Sequence, residues 1–314
     1  MLNNTNATRF NYIVTIHNKQ DIIETVILNI IKCMNTNSAL YPILDGCSDN
    51  SEAIIDSIII KYPDKLIKKI YSDDVHELKA INTGLKSSDQ IGTGFNIIIQ
   101  DDVVIKTYDI EQRIINLYKS KNDLGIVSFR HGFNISRSLI KKKTDILPIT
   151  NHIENIRGHN YKRFAALKLG YFTYREIAVK SPICIPFNLI NAIGLPDEIY
   201  APWDDMGFCY SAVIAGFNNG VYAIDFESDI SWGTTRTKNQ KISISEVERK
   251  NISIFKSKHS HDLQTIKKSN IYNNKIYLIN KFDTAQVKKT KFFKGIKTYA
   301  KDNIKYFINV LFRN

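Results

Sequence analysis

The sequence predicts an α/β fold in which a mixed, mostly parallel sheet is flanked by helices, and three observations carry that expectation. Apolar runs of strand length alternate with segments whose apolar residues recur every three or four positions. Within the stretch 96–99, Ile97, Ile98 and Ile99 are apolar toward both faces, as a central strand covered by helices on each side requires. Polar, carboxylate-bearing turns, DGCSDNS at 45–51 and QDD at 100–102, follow two of the strands, at the strand ends where such sheets bind ligands.

The elements follow in order. A strand at 12–16 leads into a helix face made by Ile22, Ile23, Val26, Ile27, Ile30 and Ile31. A second strand ends at Leu44, and a helix over 52–60 follows the polar turn, with Asp49 and Glu52 at capping-box spacing. A third strand at 66–71 and a helix at 77–85 precede the strand that ends in Gln100, Asp101 and Asp102. A helix at 111–118 and a strand at 125–129 come next. Residues 130–172, with weak periodicity and the cluster Lys141, Lys142 and Lys143, read as a loop-rich insertion. Regular pattern returns at 174–179, continues in a helix through Ile190, and ends in a helix over 204–215 closed by Gly216.

Nothing resembling a linker or internal repeat divides these pieces, so a single domain is expected over residues 1–236, about 10–129 forming one half and 130–236 the other. The net charge of +12 is confined to the remainder: residues 1–236 hold 25 basic and 26 acidic residues, whereas 237–314 hold 18 and 5. Nucleic-acid binding, which the sum would suggest, is therefore not expected of the main domain. In 288–314, Phe293, Ile296, Ala300, Ile304, Phe307, Ile308 and Leu311 recur at helical spacing among lysines, a basic amphipathic pattern suited to an anionic membrane surface. Packing of that stripe on the domain or a partner subunit is the competing reading. No apolar run of membrane-spanning length and no signal-peptide pattern occurs, and the four cysteines form no C-x-x-C pair. A cytoplasmic protein, peripheral on the inner face of the plasma membrane, is the expectation.

Adjacent carboxylates at a strand end repel, and a hard divalent cation relieves that repulsion while neutralising a bound diphosphate. Asp101 and Asp102 as a pair are accordingly a candidate site for Mg²⁺ or Mn²⁺; paired surface acids in a loop are the bland alternative. The segments TIHNKQDIIE, ILDGCSDNS, ELKAINTGL, IIIQDDVVI, AIGLPDE and WDDMGFCYSAVIAGF together resemble, in order and spacing, the family-2 glycosyltransferases of the GT-A fold. The resemblance covers about residues 10–236.

It implies a GT-A (Rossmann-like) domain that moves a sugar from a nucleoside diphosphate, with a UDP-sugar favoured, to a hydroxyl of a glycan or lipid-linked acceptor in polysaccharide synthesis. By the same resemblance Asp45 meets the nucleobase, His17 lies against it, and Lys79 and Asn82 stand near the donor. Gln100 and Asp101 face the ribose, and Asp102 holds the metal. Trp203 and Asp204 line the acceptor site, and Asp205 is the base of an inverting displacement. Departures are visible: Leu44 and Gln100 stand where the family carries acids, Ile81 where it carries an arginine, and no histidine follows the last strand. A non-catalytic sugar-nucleotide or glycan binder, or a sugar nucleotidyltransferase, remains as the alternative.

Overall fold

The computed structural model describes residues 8–137, 149–157, 165–200, 205–228, 244–265 and 269–282. The chain opens with β1 (Arg9–Ile16), α1 (Ile23–Cys33), β2 (Ser38–Asp45), α2 (Ser51–Lys61), β3 (Leu66–Ile67), β4 (Ile70–Ser72), α3 (Glu77–Ser87) and β5 (Gly94–Gln100). β1 lies between β2 and β5 and is parallel to both, with Ile16 beside Leu44 and Thr15 beside Gln100. Because the three strands run together in register, His17, Asp45 and Asp101 leave the sheet at one rim.

Alternation along β1 supplies two cores, one per face. Tyr12, Val14 and Ile16 pack with Val26, Ile27 and Ile30 of α1, while Ile13 packs on the opposite face with Ala80, Ile81 and Leu85 of α3. Close approach of α3 depends on Gly84, where an added Cβ would stand 2.4 Å from Ile43 Cδ1 and 2.7 Å from Ile13 Cγ2. Tyr12, fully buried, carries its hydroxyl to Glu111 at 2.9 Å, and Ser38 Oγ donates to the same carboxylate at 2.6 Å. Those bonds satisfy polar groups that burial would otherwise penalise.

The second half contributes β6 (Val103–Ile105), α4 (Ile110–Ser120), β7 (Leu124–Ser128), β8 (His131–Ile135), β9 (Ile149–Asn155), β10 (Ala165–Leu167), β11 (Tyr171–Tyr174), β12 (Ile177–Val179) and β13 (Ile183–Pro186). After them come α5 (Phe187–Ile193), a 3₁₀ turn (Glu198–Tyr200), α6 (Asp205–Ile214), β14 (Asn218–Tyr222), β15 (Phe226–Ser228), α7 (Ile244–Thr265) and β16 (Tyr277–Leu278). The main sheet has the order β16-β11-β14-β7-β13-β5-β1-β2-β3, with β4 also on β2. β13 runs antiparallel between β5 and β7, and β11 pairs antiparallel with β14 and β16, so the sheet is mixed, as expected.

Three local expectations are corrected. Part of residues 130–172 is not loop: β8, β9 and β10 join β12 in a second sheet of order β10-β9-β8-β12. Its strands lack an apolar alternation because His131, His152, Glu154 and Asn155 occupy sheet positions and are satisfied there by one another and by neighbouring groups. The single strand expected at 66–71 is two short pairings on β2. The capping box does not form: Asp49 accepts from Ser51 and Gln20 N–H, and Glu52 turns to Lys69 and the Tyr71 hydroxyl, both at 2.7 Å.

One compact unit runs from Met1 to Lys281, and 282–314 form a second. The first therefore continues past residue 236, because β16 completes the edge of the main sheet on β11 and α7 buries Phe255 and Leu263 with Tyr210. The basic helix expected at 288–314 lies outside the described residues. Among the described residues no helix is long and apolar enough to cross a membrane.

Candidate functional site

The rim beyond β1, β2 and β5 is assembled by backbone hydrogen bonds that its own side chains accept. Asp101 Oδ2 takes the His17 N–H at 2.9 Å, which ties the end of β5 to the loop after β1. His17 Nδ1 stands 2.6 Å from the Asp45 carbonyl oxygen, so that nitrogen carries the proton and donates. Asn18, at φ 52°, accepts from Ser48 and Asp49 N–H through Oδ1 and closes the loop after β2 against the loop after β1. Polar side chains thus act as rivets between strand ends.

Asp45 is buried and its Oδ1 accepts from Ser72 Oγ and Val75 N–H, each at 2.8 Å. Asp74, at φ 51°, brings a carboxylate within 3.7 Å of His17 Nδ1. Gly46, at φ 63°, permits that approach, since a Cβ there would meet Asp74 Cβ at 2.7 Å. His17, Asp45 and Asp74 form a group able to hold a metal ion. Yet His17 Nδ1 and Asp45 Oδ1 are already engaged in short hydrogen bonds within the loops.

Asp102 meets the chemistry of a divalent cation differently. Its Oδ1 is buried and has no hydrogen-bond partner among the described residues, an arrangement costly for an anion unless a cation completes it. Burial pushes the Asp102 carboxyl above its usual range, opposed by Arg130 and Lys19. Asp101 is pushed up to about 7, chiefly by burial, with the nearby Lys19 and the His17 N–H pulling the other way and Asp102 and Glu77 adding to it. Lys19, itself buried, stands 3.8 Å from Asp101. The residues present therefore fit Mg²⁺ or Mn²⁺ at Asp102, with Asp101 beside it.

The start of α6 is brought to the same rim through residues 180 and 181. Gln100 N–H donates to Ser181 Oγ at 2.9 Å, and the adjacent Lys180 N–H donates to Asp205 Oδ1 at 3.2 Å. Arg130 Nε donates to the Ser181 carbonyl, placing a buried guanidinium within electrostatic reach of Asp102, Glu154 and Glu77. Asp205, Lys180, Ile81 and Pro196 line a small cavity between α3 and α6. Glu77 Oε1 accepts from Gln100 Nε2 at 2.8 Å, and its Oε2 lies 3.8 Å from Lys180 Nζ.

Of the residues singled out in the sequence, His17, Asp45, Gln100, Asp101, Asp102 and Asp205 are thus drawn into one region. Asn82 is close by but its amide is used inside the protein, donating to the Pro196 carbonyl at 2.9 Å and Glu198 at 3.0 Å, which ties α3 to the turn before α6. Lys79 lies on the exposed face of α3, and the buried lysines of the site are Lys19 and Lys180 instead. Trp203 and Asp204 lie outside the described residues. Sequence reasoning missed Glu77, Arg130, Glu154 and Lys180, single charges in otherwise periodic or irregular segments that no local pattern marks out.

The second sheet carries a buried group facing Arg130. His131 Nδ1 and His152 Nε2 are 3.1 Å apart, and His152 Nε2 is 3.9 Å from Glu154. Burial drives His152 down to about 4, helped by Arg175, and raises Glu154 to about 7 against the pull of Arg130. Glu154 therefore keeps its proton in the folded chain well above the unfolded value near 4.5. Its contribution to stability is full below that value, is lost as pH rises toward about 7, and is constant above. Glu154→Gln should remove this loss, worth at most about 3 kcal/mol, from the stability difference between pH 5 and pH 8. Urea unfolding at the two pH values checks it, and an unchanged difference would refute the assignment.

No family model matches the chain, and no curated protein matches it. Among solved structures it is similar to a mannosyltransferase, PcManGT from Pyrobaculum calidifontis in complex with GDP-Man and Mn²⁺, at 13% identity and a TM-score of 0.49, over 70% of this chain and 56% of that one. It is also similar to S. aureus TarS, at 15% identity and a TM-score of 0.47 over 71% and 37% of the two chains, and to residues 1–349 of TarS in complex with UDP, at 15% and 0.49 over 70% and 60%. The chain spans little more than half the length of that mannosyltransferase and about a third of TarS.

Proposed function

We propose that the chain is a metal-assisted, inverting glycosyltransferase that moves a sugar from a nucleoside diphosphate, a UDP-sugar in the first instance, to a hydroxyl of a glycan or lipid-linked acceptor. One observation carries the reading: Asp102, whose buried oxygen has no partner among the described residues, and the carboxylate at the start of α6, Asp205, are tied to a single strand end through Gln100, Ser181 and Lys180. A diphosphate needs the first and a nucleophilic hydroxyl needs the second.

Asp102 would hold the cation, which when bound supplies charge neutralisation of the leaving diphosphate. Lys19 and Arg130 add fixed positive charge around that position. Asp45 and His17 supply an acceptor and a ring for the nucleobase at the ends of β2 and β1. Asp205 takes the proton of the acceptor hydroxyl as the new glycosidic bond forms on the face opposite the departing nucleotide, while one of its oxygens accepts the Lys180 N–H and fixes the carboxylate in place. The excess of lysine after residue 236 supports a lipid-linked acceptor at an anionic cytoplasmic surface.

The test is a panel of sugar nucleotides with and without Mn²⁺, read first as thermal stabilisation and then as slow release of nucleoside diphosphate. Stabilisation by one donor at 100 times its Kd should reach about 2.7 kcal/mol and be accompanied by hydrolysis. Stabilisation with no release under any condition selects the non-catalytic binding alternative, and no response to any donor removes the proposal.

A further inference from the structure

Gln100 ends β5 at the rim, and its side-chain amide has two chemically different ends that a ligand would meet in opposite ways. Which end faces outward is decided by its neighbour. Glu77, in the first turn of α3, accepts from the Gln100 nitrogen at 2.8 Å, so that nitrogen is turned toward it and the carbonyl oxygen is turned away. The Gln100 backbone is fixed independently by the Ser181 hydroxyl, so the side chain is held at both its root and its tip. The other oxygen of Glu77 faces the buried Lys180, whose own N–H fixes Asp205. A single carboxylate therefore borders the donor side and the acceptor side at once.

We propose that Glu77 is a positioning residue of the site, which presents the Gln100 carbonyl oxygen as a fixed acceptor for a donor-ligand hydroxyl and holds Lys180 beside Asp205. The inference rests on the nucleotide-sugar reading above. A neutral amide whose nitrogen is held by a carboxylate gives the strand end an uncharged acceptor of fixed direction.

Binding of a nucleoside diphosphate with Mn²⁺, measured by titration calorimetry on the full chain, tests it through three variants whose folding is verified by thermal unfolding. Glu77→Ala frees the amide to rotate and should weaken binding about tenfold. Gln100→Glu sets two carboxylates against each other and should weaken it similarly. The exchange, Glu77→Gln with Gln100→Glu, restores one donor facing one acceptor and should return affinity to within about threefold of the parent chain. Parental affinity in Glu77→Ala, or an exchange no better than Gln100→Glu alone, overturns the role of Glu77 while leaving the function standing. A parent chain that binds no nucleoside diphosphate overturns the function, and this inference with it.

Discussion

Asparagine at position 205 should lower sugar transfer by about 10² to 10⁴-fold while nucleoside diphosphate affinity stays within about twofold of the parent chain. The split follows from what the substitution keeps. The asparagine carbonyl still accepts the Lys180 N–H that Asp205 Oδ1 accepts at 3.2 Å, so the start of α6 remains docked on the connection between β12 and β13. What is lost is the capacity to take a proton from an attacking hydroxyl. Loss of a negative charge from the first helical turn should cost about 0.3–1 kcal/mol of stability, too little to explain a thousandfold fall in rate. Transfer is read as nucleoside diphosphate released in the presence of acceptor, and affinity by calorimetry without acceptor. Undiminished transfer in Asp205→Asn would place the base elsewhere; a parallel collapse of affinity would move Asp205 to the donor side.

The framework of this site was legible because strand ends in a parallel sheet are a consequence of periodicity alone. Once 12–16, the run ending at Leu44 and 96–99 are read as strands, His17, Asp45 and Asp101 must emerge at one edge, and the pairing of Ile16 with Leu44 and of Thr15 with Gln100 bears that out. The second sheet was not legible. Its strands place His131, His152 and Glu154 where an alternating pattern would place apolar residues, and their burial depends on partners from β8, β9 and Arg130 that no local pattern announces. Glu77 was hidden for a related reason: at a helix start an acid is explained by the helix dipole, and only the fold reveals Gln100 at 2.8 Å. Lys180, 103 positions away from Glu77, shows that charge partners cannot be assigned along the chain.

Replacing Asp102 by asparagine should separate affinity from stability. The carboxylate is mostly buried, its Oδ1 has no hydrogen-bond partner among the described residues, and burial outweighs Arg130 and Lys19 in setting the direction of its shift. An asparagine of the same shape removes the buried charge, so the unliganded protein should melt no lower than the parent chain and somewhat higher at neutral pH. The same change removes a rim carboxylate whose orphaned oxygen suits a hard cation, so Mn²⁺-dependent affinity for the nucleoside diphosphate should fall by at least ~10²-fold. Two structural roles would give other signatures. If Asp102 serves only to anchor Arg130, its loss should lower the melting temperature and leave the Mn²⁺ dependence intact. If the cation instead sits among His17, Asp45 and Asp74, Asp74→Asn should abolish the Mn²⁺ effect and Asp102→Asn should not. Melting curves and calorimetric titrations on the two variants, each with and without Mn²⁺, decide among these arrangements. The combination of raised melting temperature and lost Mn²⁺ dependence in Asp102→Asn belongs to a cation ligand alone, because a group that stabilises the fold cannot be removed without lowering the stability it supplies.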